Sequence, residues 1–250
     1  MNAFFLRDLL RGGCLNLVFL TLTSASLIQD DFNGSMLDTN QWGTAYTGGA
    51  AAPVQTGGGL MVHVETNSQN QRALVFSTRT DLDFTARPIT MAATISALGG
   101  AGAVQWPVNR YLLIGSFGTQ PEIQSRYYPG SELPMGVWLA AGQTNGMNYL
   151  EVGTVRLGRV ETTREIYQGV LTAMSLTLHG NTYSVSASGI DGFSVGADNR
   201  IVGVLANIHT EEYNGHFRFA MGAANSFQGA VSEGASVVWD SVTVNSALAP

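Results

Sequence analysis

The clearest pattern along the chain is an alternation of apolar and polar positions about a two-residue turn. Residues 174–179 and 182–187 flank Gly180-Asn181, a dipeptide suited to a tight hairpin. A two-residue loop sets Leu178 opposite Tyr183, Leu176 opposite Val185 and Met174 opposite Ala187, all apolar and all on one face. Ser175, Thr177, Ser184 and Ser186 fall on the other. Asn145-Gly146 predicts a second hairpin of the same kind. It pairs Leu139 with Val152 and Ala141 with Leu150, and it leaves Trp138, Ala140 and Glu151 together on the reverse side. Further strands are expected at 60–64, 73–78, 89–96, 110–117, 155–161, 200–206, 217–222 and 236–244. A helix at 198–213 is the one competing pattern, and Gly203 in its middle weakens it. Many short strands separated by Gly, Asn, Asp and Ser predict an all-β fold, a two-sheet antiparallel jelly-roll sandwich.

The first segment breaks this pattern. Arg7 and Arg11 precede an apolar run at 14–22, and small residues follow at 23–26. A positive start, a short apolar stretch and a small-residue exit predict a secretory signal peptide over residues 1–25, with one sandwich domain over 26–250. The apolar run is too short to remain as a membrane span. The expected location is therefore the exterior or periplasm of a Gram-negative bacterium. Cys14, the chain's only cysteine, falls inside this segment. No disulfide and no cysteine-built zinc site is expected in the remainder.

Composition narrows the function classes. The chain has 250 residues, 12% charged, with a formal charge of -6. Its basic residues are twelve arginines, and it has no lysine. Scattered arginines in an acidic chain give no basic face for nucleic acid. No apolar run is long enough for an integral membrane bundle.

Asp30-Asp31-Phe32, followed by Leu37-Asp38 and Trp42, resembles the opening of concanavalin A-like (LamG-like) lectin and glucanase domains. The closing run Val237-Val-Trp-Asp-Ser-Val-Thr-Val244 is similar to their last strand, and the 174–187 hairpin to a strand pair common among them. The resemblance implies a curved two-sheet sandwich, often carbohydrate-binding and sometimes a glycoside hydrolase or polysaccharide lyase. It also implies a structural calcium ion between the opening segment and the last strand, where Asp31 and Asp240 stand. Asp240 is expected to share a face with Val238, Val242 and Val244, where a bare carboxylate is costly without a partner.

The chemistry of the enzymes in that group is not evident. The glucanase pattern Glu-x-Asp-x-x-Glu, which sets two carboxyl groups roughly 5 Å apart for retaining hydrolysis, has no match. Glu122 and Glu132 are ten residues apart with a proline and a Tyr-Tyr pair between them, and the Arg-x-Glu and Gln-x-His strands of the lyases are missing. Gly192-Phe-Ser-Val-Gly196 fits a nucleophile-elbow pattern, but that motif works only on a strand-to-helix turn. The four histidines have no metal-ligand spacing.

Sugars offer apolar ring faces and dense hydroxyls, so their sites combine aromatic platforms with polar forks. The richest stretch is 106–138, and the candidate ligand-binding residues are Trp106, Arg110, Glu122, Arg126, Tyr128, Trp138 and Glu151. For each tryptophan the competing role is core filling. The leading reading is a secreted lectin-like protein for a glycan or polysaccharide, neutral rather than acidic given the net charge. A polysaccharide-active enzyme and a structural or adhesive surface protein are the alternatives.

Overall fold

A computed structural model of the chain describes residues 25–47, 49–56, 58–64, 72–79, 82–99, 109–117, 135–144, 147–156, 159–191, 200–204, 218–226 and 235–246. These residues form strands and connections, with no helix among them. The strands are β1 (Ala25–Asp30), β2 (Trp42–Thr47), β3 (Val54–Gln55), β4 (Leu60–Val64), β5 (Arg72–Ser77), β6 (Ile89–Gly99), β7 (Asn109–Phe117) and β8 (Met135–Thr144). There follow β9 (Met147–Arg156), β10 (Arg159–Ile166), β11 (Gln168–His179), β12 (Thr182–Asp191), β13 (Arg200–Val204), β14 (Arg218–Ser226) and β15 (Ala235–Ser246). The expected signal peptide lies outside the described residues, except for Ala25 at the head of β1.

The strands build two antiparallel sheets. One has eight strands in the order β13-β12-β11-β6-β15-β4-β3, with β1 pairing along the second half of β15. The other has seven, in the order β10-β9-β8-β7-β14-β5-β2. The late strands β14 and β15 insert between strands formed much earlier in the chain, which is the jelly-roll arrangement. Each sheet turns one face inward. Val137, Leu139, Ala141, Leu150 and Val152 of the seven-stranded sheet join Met91, Leu176, Leu178, Val185, Val242 and Val244 of the other in one buried cluster. Full burial of each large aliphatic side chain contributes roughly 1.5–3 kcal/mol, enough to fix which face of each strand points in.

Both predicted hairpins have the expected register. Gly180 takes φ +57° at the first position of its two-residue turn, a conformation glycine adopts without cost. Two expectations are corrected. The single strand expected at 155–161 is the end of β9 and the start of β10, with Arg156 opposite Arg159. In the sequence, the apolar positions Val155, Leu157 and Val160 favoured one strand over the turn signal that Gly158 offers. In β15 the register shifts between Trp239 and Ser241. The bulge changes which face points inward, so Trp239, Val242 and Val244 are buried while Asp240 is exposed. Asp240 therefore does not share the face of Val242 and Val244. The described part of 198–213 is β13, a strand rather than a helix.

Candidate binding face

The outer face of the seven-stranded sheet is built differently from an ordinary solvated sheet face. Trp138, Ala140, Tyr149, Glu151, Leu74 and Ala220 are all buried, yet none belongs to the cluster between the sheets. Their strand positions alternate with core residues on β8, β9, β5 and β14, so they form a second buried layer. Glycines make room for it. The Trp138 ring lies across Gly153 on the neighbouring strand, where a Cβ would come within 2.0 Å of Cζ2. The Phe76 ring lies across Gly43 in the same way, at 2.4 Å. Only a residue without a side chain leaves that space.

Glu151 is the chemical centre of this layer. It stands opposite Ala140 on β8 and Arg164 on β10. Arg164 Nε donates to Glu151 Oε2 at 2.5 Å, and the Arg164 guanidinium also sits 4.7 Å from the centroid of the Tyr149 ring. The two partners differ sharply in exposure: the Glu151 side chain is 0% accessible and the Arg164 side chain 37%. The other carboxylate oxygen, Oε1, is buried and accepts no hydrogen bond, and the buried Trp138 Nε1 donates none. An acceptor and a donor, both without partners, thus occupy adjacent strands of one face. Each such group costs about 1–3 kcal/mol, so the combination calls for a functional account. A ligand hydroxyl, which donates one hydrogen bond and accepts others, matches both.

Of the residues singled out by sequence, the structure brings Trp138 and Glu151 together on this face. Arg110 holds a β7 position opposite Gln143 and Asn225, and its side chain lies outside the described residues. Trp106, Glu122, Arg126 and Tyr128 also lie outside them. Arg164 and Tyr149 were not anticipated. Reading Gly158 as a turn would have placed Arg164 directly across from Glu151.

The opening segment, by contrast, is a structural joint. Asp30 accepts hydrogen bonds from Phe32 N at 2.8 Å and from the Trp42 indole N–H at 2.9 Å. Phe32 has φ +50°, and this backbone bond holds it there with its ring 6.3 Å from that of Trp42. Asp38 caps the next turn, accepting from Asn40 N at 2.9 Å and from the Gln41 side-chain amide at 2.9 Å. The Gln41 amide and then the Asn40 backbone N–H hold the Asp38 carboxyl below its ordinary range. Asp30, Asp31 and Asp38 line a pocket of about 500 Å³ together with Gln29, Gln41 and Gln55. Asp240 is not among its lining residues; its carboxylate accepts from Thr94 Oγ1 at 3.4 Å. Calcium takes roughly six to eight oxygen ligands. Asp30 and Asp38 accept hydrogen bonds from N–H donors, and no group of three or more His, Cys, Asp or Glu side chains placed to hold a metal ion occurs among the described residues. Asp31 and Asp240 are not brought to one pocket, so the pair expected to share the ion does not by itself make a site for it.

No protein-family model matches the chain, and no curated protein matches it. Solved structures do. The chain is similar to an endo-1,3-beta-glucanase from Streptomyces sioyaensis, at 15% identity and a TM-score of 0.56, over 91% of this chain and 97% of that one. It is similar to the catalytic domain of an endo-1,3-beta-glucanase (laminarinase) from Thermotoga petrophila, at 8% identity and a TM-score of 0.52, covering 90% and 98%. Lectin II from Ulex europaeus is similar at 11% identity and a TM-score of 0.52, covering 90% and 100%. At such identities the likeness speaks for the fold. The chain has the concanavalin A-like fold, an antiparallel jelly-roll sandwich.

Proposed function

We propose that the chain is a carbohydrate-binding protein, acting outside the cytoplasm, that takes a glycan on the outer face of its seven-stranded sheet at Glu151. The observation that carries this reading is the unpartnered pair, Glu151 Oε1 and Trp138 Nε1, buried on adjacent strands of that face. Sugar hydroxyls both donate, as Glu151 Oε1 requires, and accept, as Trp138 Nε1 requires, and charge-assisted bonds to a carboxylate are the stronger kind. Arg164, the exposed member of the site, stands between Glu151 and the sheet edge, so a ligand enters beside it. Proteins of this fold that are named lectins and glucanases support the sugar class by analogy. The signal-like segment at 1–25 supports the location.

Binding is preferred over hydrolysis because of what surrounds Glu151. Among the described residues its neighbours on that face are Ala140 and Arg164 directly across the strands, Trp138 diagonally, and Tyr149 and Gly153 along its own. None is a second carboxylate, and a two-acid mechanism needs one. The test is a glycan-binding screen of the purified chain against its Glu151→Gln variant. The variant is expected to bind about tenfold more weakly while keeping its circular dichroism spectrum. Equal binding by both proteins, or no binding by the wild type, rejects the reading.

A further inference from the structure

Arg218 occupies the same outer face as Glu151, toward the other end of the sheet. Its neighbours Phe219 and Met221 belong to the core, so Arg218 and Ala220 take the opposite side of β14. The Arg218 guanidinium lies 5.3 Å from the centroid of the Phe76 ring, which itself rests on Gly43. That stack fixes the cation and buries Nε, which has no hydrogen-bond partner. Arg164, its counterpart on β10, is neutralised by Glu151; among the described residues no carboxylate pairs with Arg218. A fixed, partly desolvated guanidinium without a counter-charge is costly in isolation, and its planar fork matches a carboxylate or sulfate.

The register sets its distance from Glu151. Three strand spacings separate β9 from β14, and the cross-strand row of Glu151 meets β14 at Gly222, four residues from Arg218. That amounts to about 14 Å across the strands and about 13 Å along them, or about 19 Å in all. Trp138, Ala140, Leu113, Gly115 and Ala220 hold the strand positions between the two, so an extended ligand that reaches both crosses the Trp138 position.

We propose that Arg218 is an anion-recognising subsite, and that the glycan taken by this face is acidic, its carboxylate or sulfate held by Arg218 while a hydroxyl is held by Glu151. This rests on the reading of the face as a glycan site and reverses the neutral preference drawn from net charge. The formal charge of -6 is spread over the whole chain. Salt screens it beyond about 8 Å at physiological ionic strength, so the nearest cation decides.

The test is calorimetric titration of the full chain with matched oligosaccharides: a neutral glucan, an oligogalacturonate and a sulfated galactan. At least one acidic ligand is expected to bind about tenfold more tightly than the neutral one, and more weakly as salt is raised. Arg218→Gln is expected to erase that ratio, and Arg218→Lys to retain part of it. Glu151→Gln lowers affinity for all ligands that bind. A ratio unchanged in Arg218→Gln, or a wild type that prefers the neutral glucan, overturns the acidic proposal and leaves the glycan site standing. Binding of none of the three overturns both. The two acidic arms decide between carboxylate and sulfate.

Discussion

A carboxylate with no exposed surface needs a partner for each oxygen, and Glu151 has one for Oε2 alone. Removing Arg164 leaves that charge buried and unpaired. The loss falls between that of an exposed ion pair and that of a fully buried one, and Arg164→Ala is expected to cost about 2 kcal/mol in urea unfolding. Adding Glu151→Gln to that variant removes the stranded charge and recovers at least half of the loss. Additive losses in the double variant would show that the pair does not couple the two residues. Glu151 and Trp138 were legible in the sequence because the Asn145-Gly146 hairpin fixes their shared face. Arg218 was not. Beside Phe219 it reads as any solvated strand cation, and only the packing reveals that its Nε is buried against Phe76.

The cleanly alternating stretches 174–179 of β11 and 182–187 of β12 were read with their register, since one buried face permits a single one, while the bulged start of β11 was not. Elements that depart from alternation were not. The link between β9 and β10 lay inside an alternating stretch that reads as one strand, and the bulge in β15 reversed the facing of Asp240. The resemblance in the opening segment led to the right fold, while its aspartates turned out to cap turns and hold an indole. Glycine is where β8 and β9 can be tested against each other. In Gly153→Ala the new methyl meets the Trp138 ring at 2.0 Å, and forcing the ring aside is expected to cost about 1–3 kcal/mol with a red-shifted tryptophan emission. Gly180→Ala meets no atom within 4 Å, so only its φ of +57° opposes it. About 1–2 kcal/mol with unchanged emission is expected there. If both variants shift the emission alike, the Trp138 contact is not the cause.

For the molecule as a whole, the absence of lysine gives the pH response an unusual simplicity. All twelve basic side chains are arginines, which keep their charge beyond pH 12, so the alkaline limb of stability is set chiefly by tyrosines. Burial raises Tyr167 above its ordinary 10.0. The unfolded chain then gives up this proton before the folded one does. Stability from this residue is complete below pH 10.0 and is lost as pH rises through the folded value. At the acid end the sign is opposite. Asp38 is held below 3.8 by Gln41 and Asn40, so its contribution is present above 3.8 and is lost as pH falls through the lower folded value. Denaturation midpoints of the wild type, Tyr167→Phe and Asp38→Asn, followed across the full pH range, separate the two limbs. Above pH 10.0 the wild type should lose stability relative to Tyr167→Phe, because phenylalanine has no proton to release. Below pH 3.8 the advantage of the wild type over Asp38→Asn should shrink toward zero. Parallel curves for wild type and Tyr167→Phe through the alkaline limb would mean that the phenol reaches solvent. The packing of Tyr167 into the cluster between the two sheets would then be wrong.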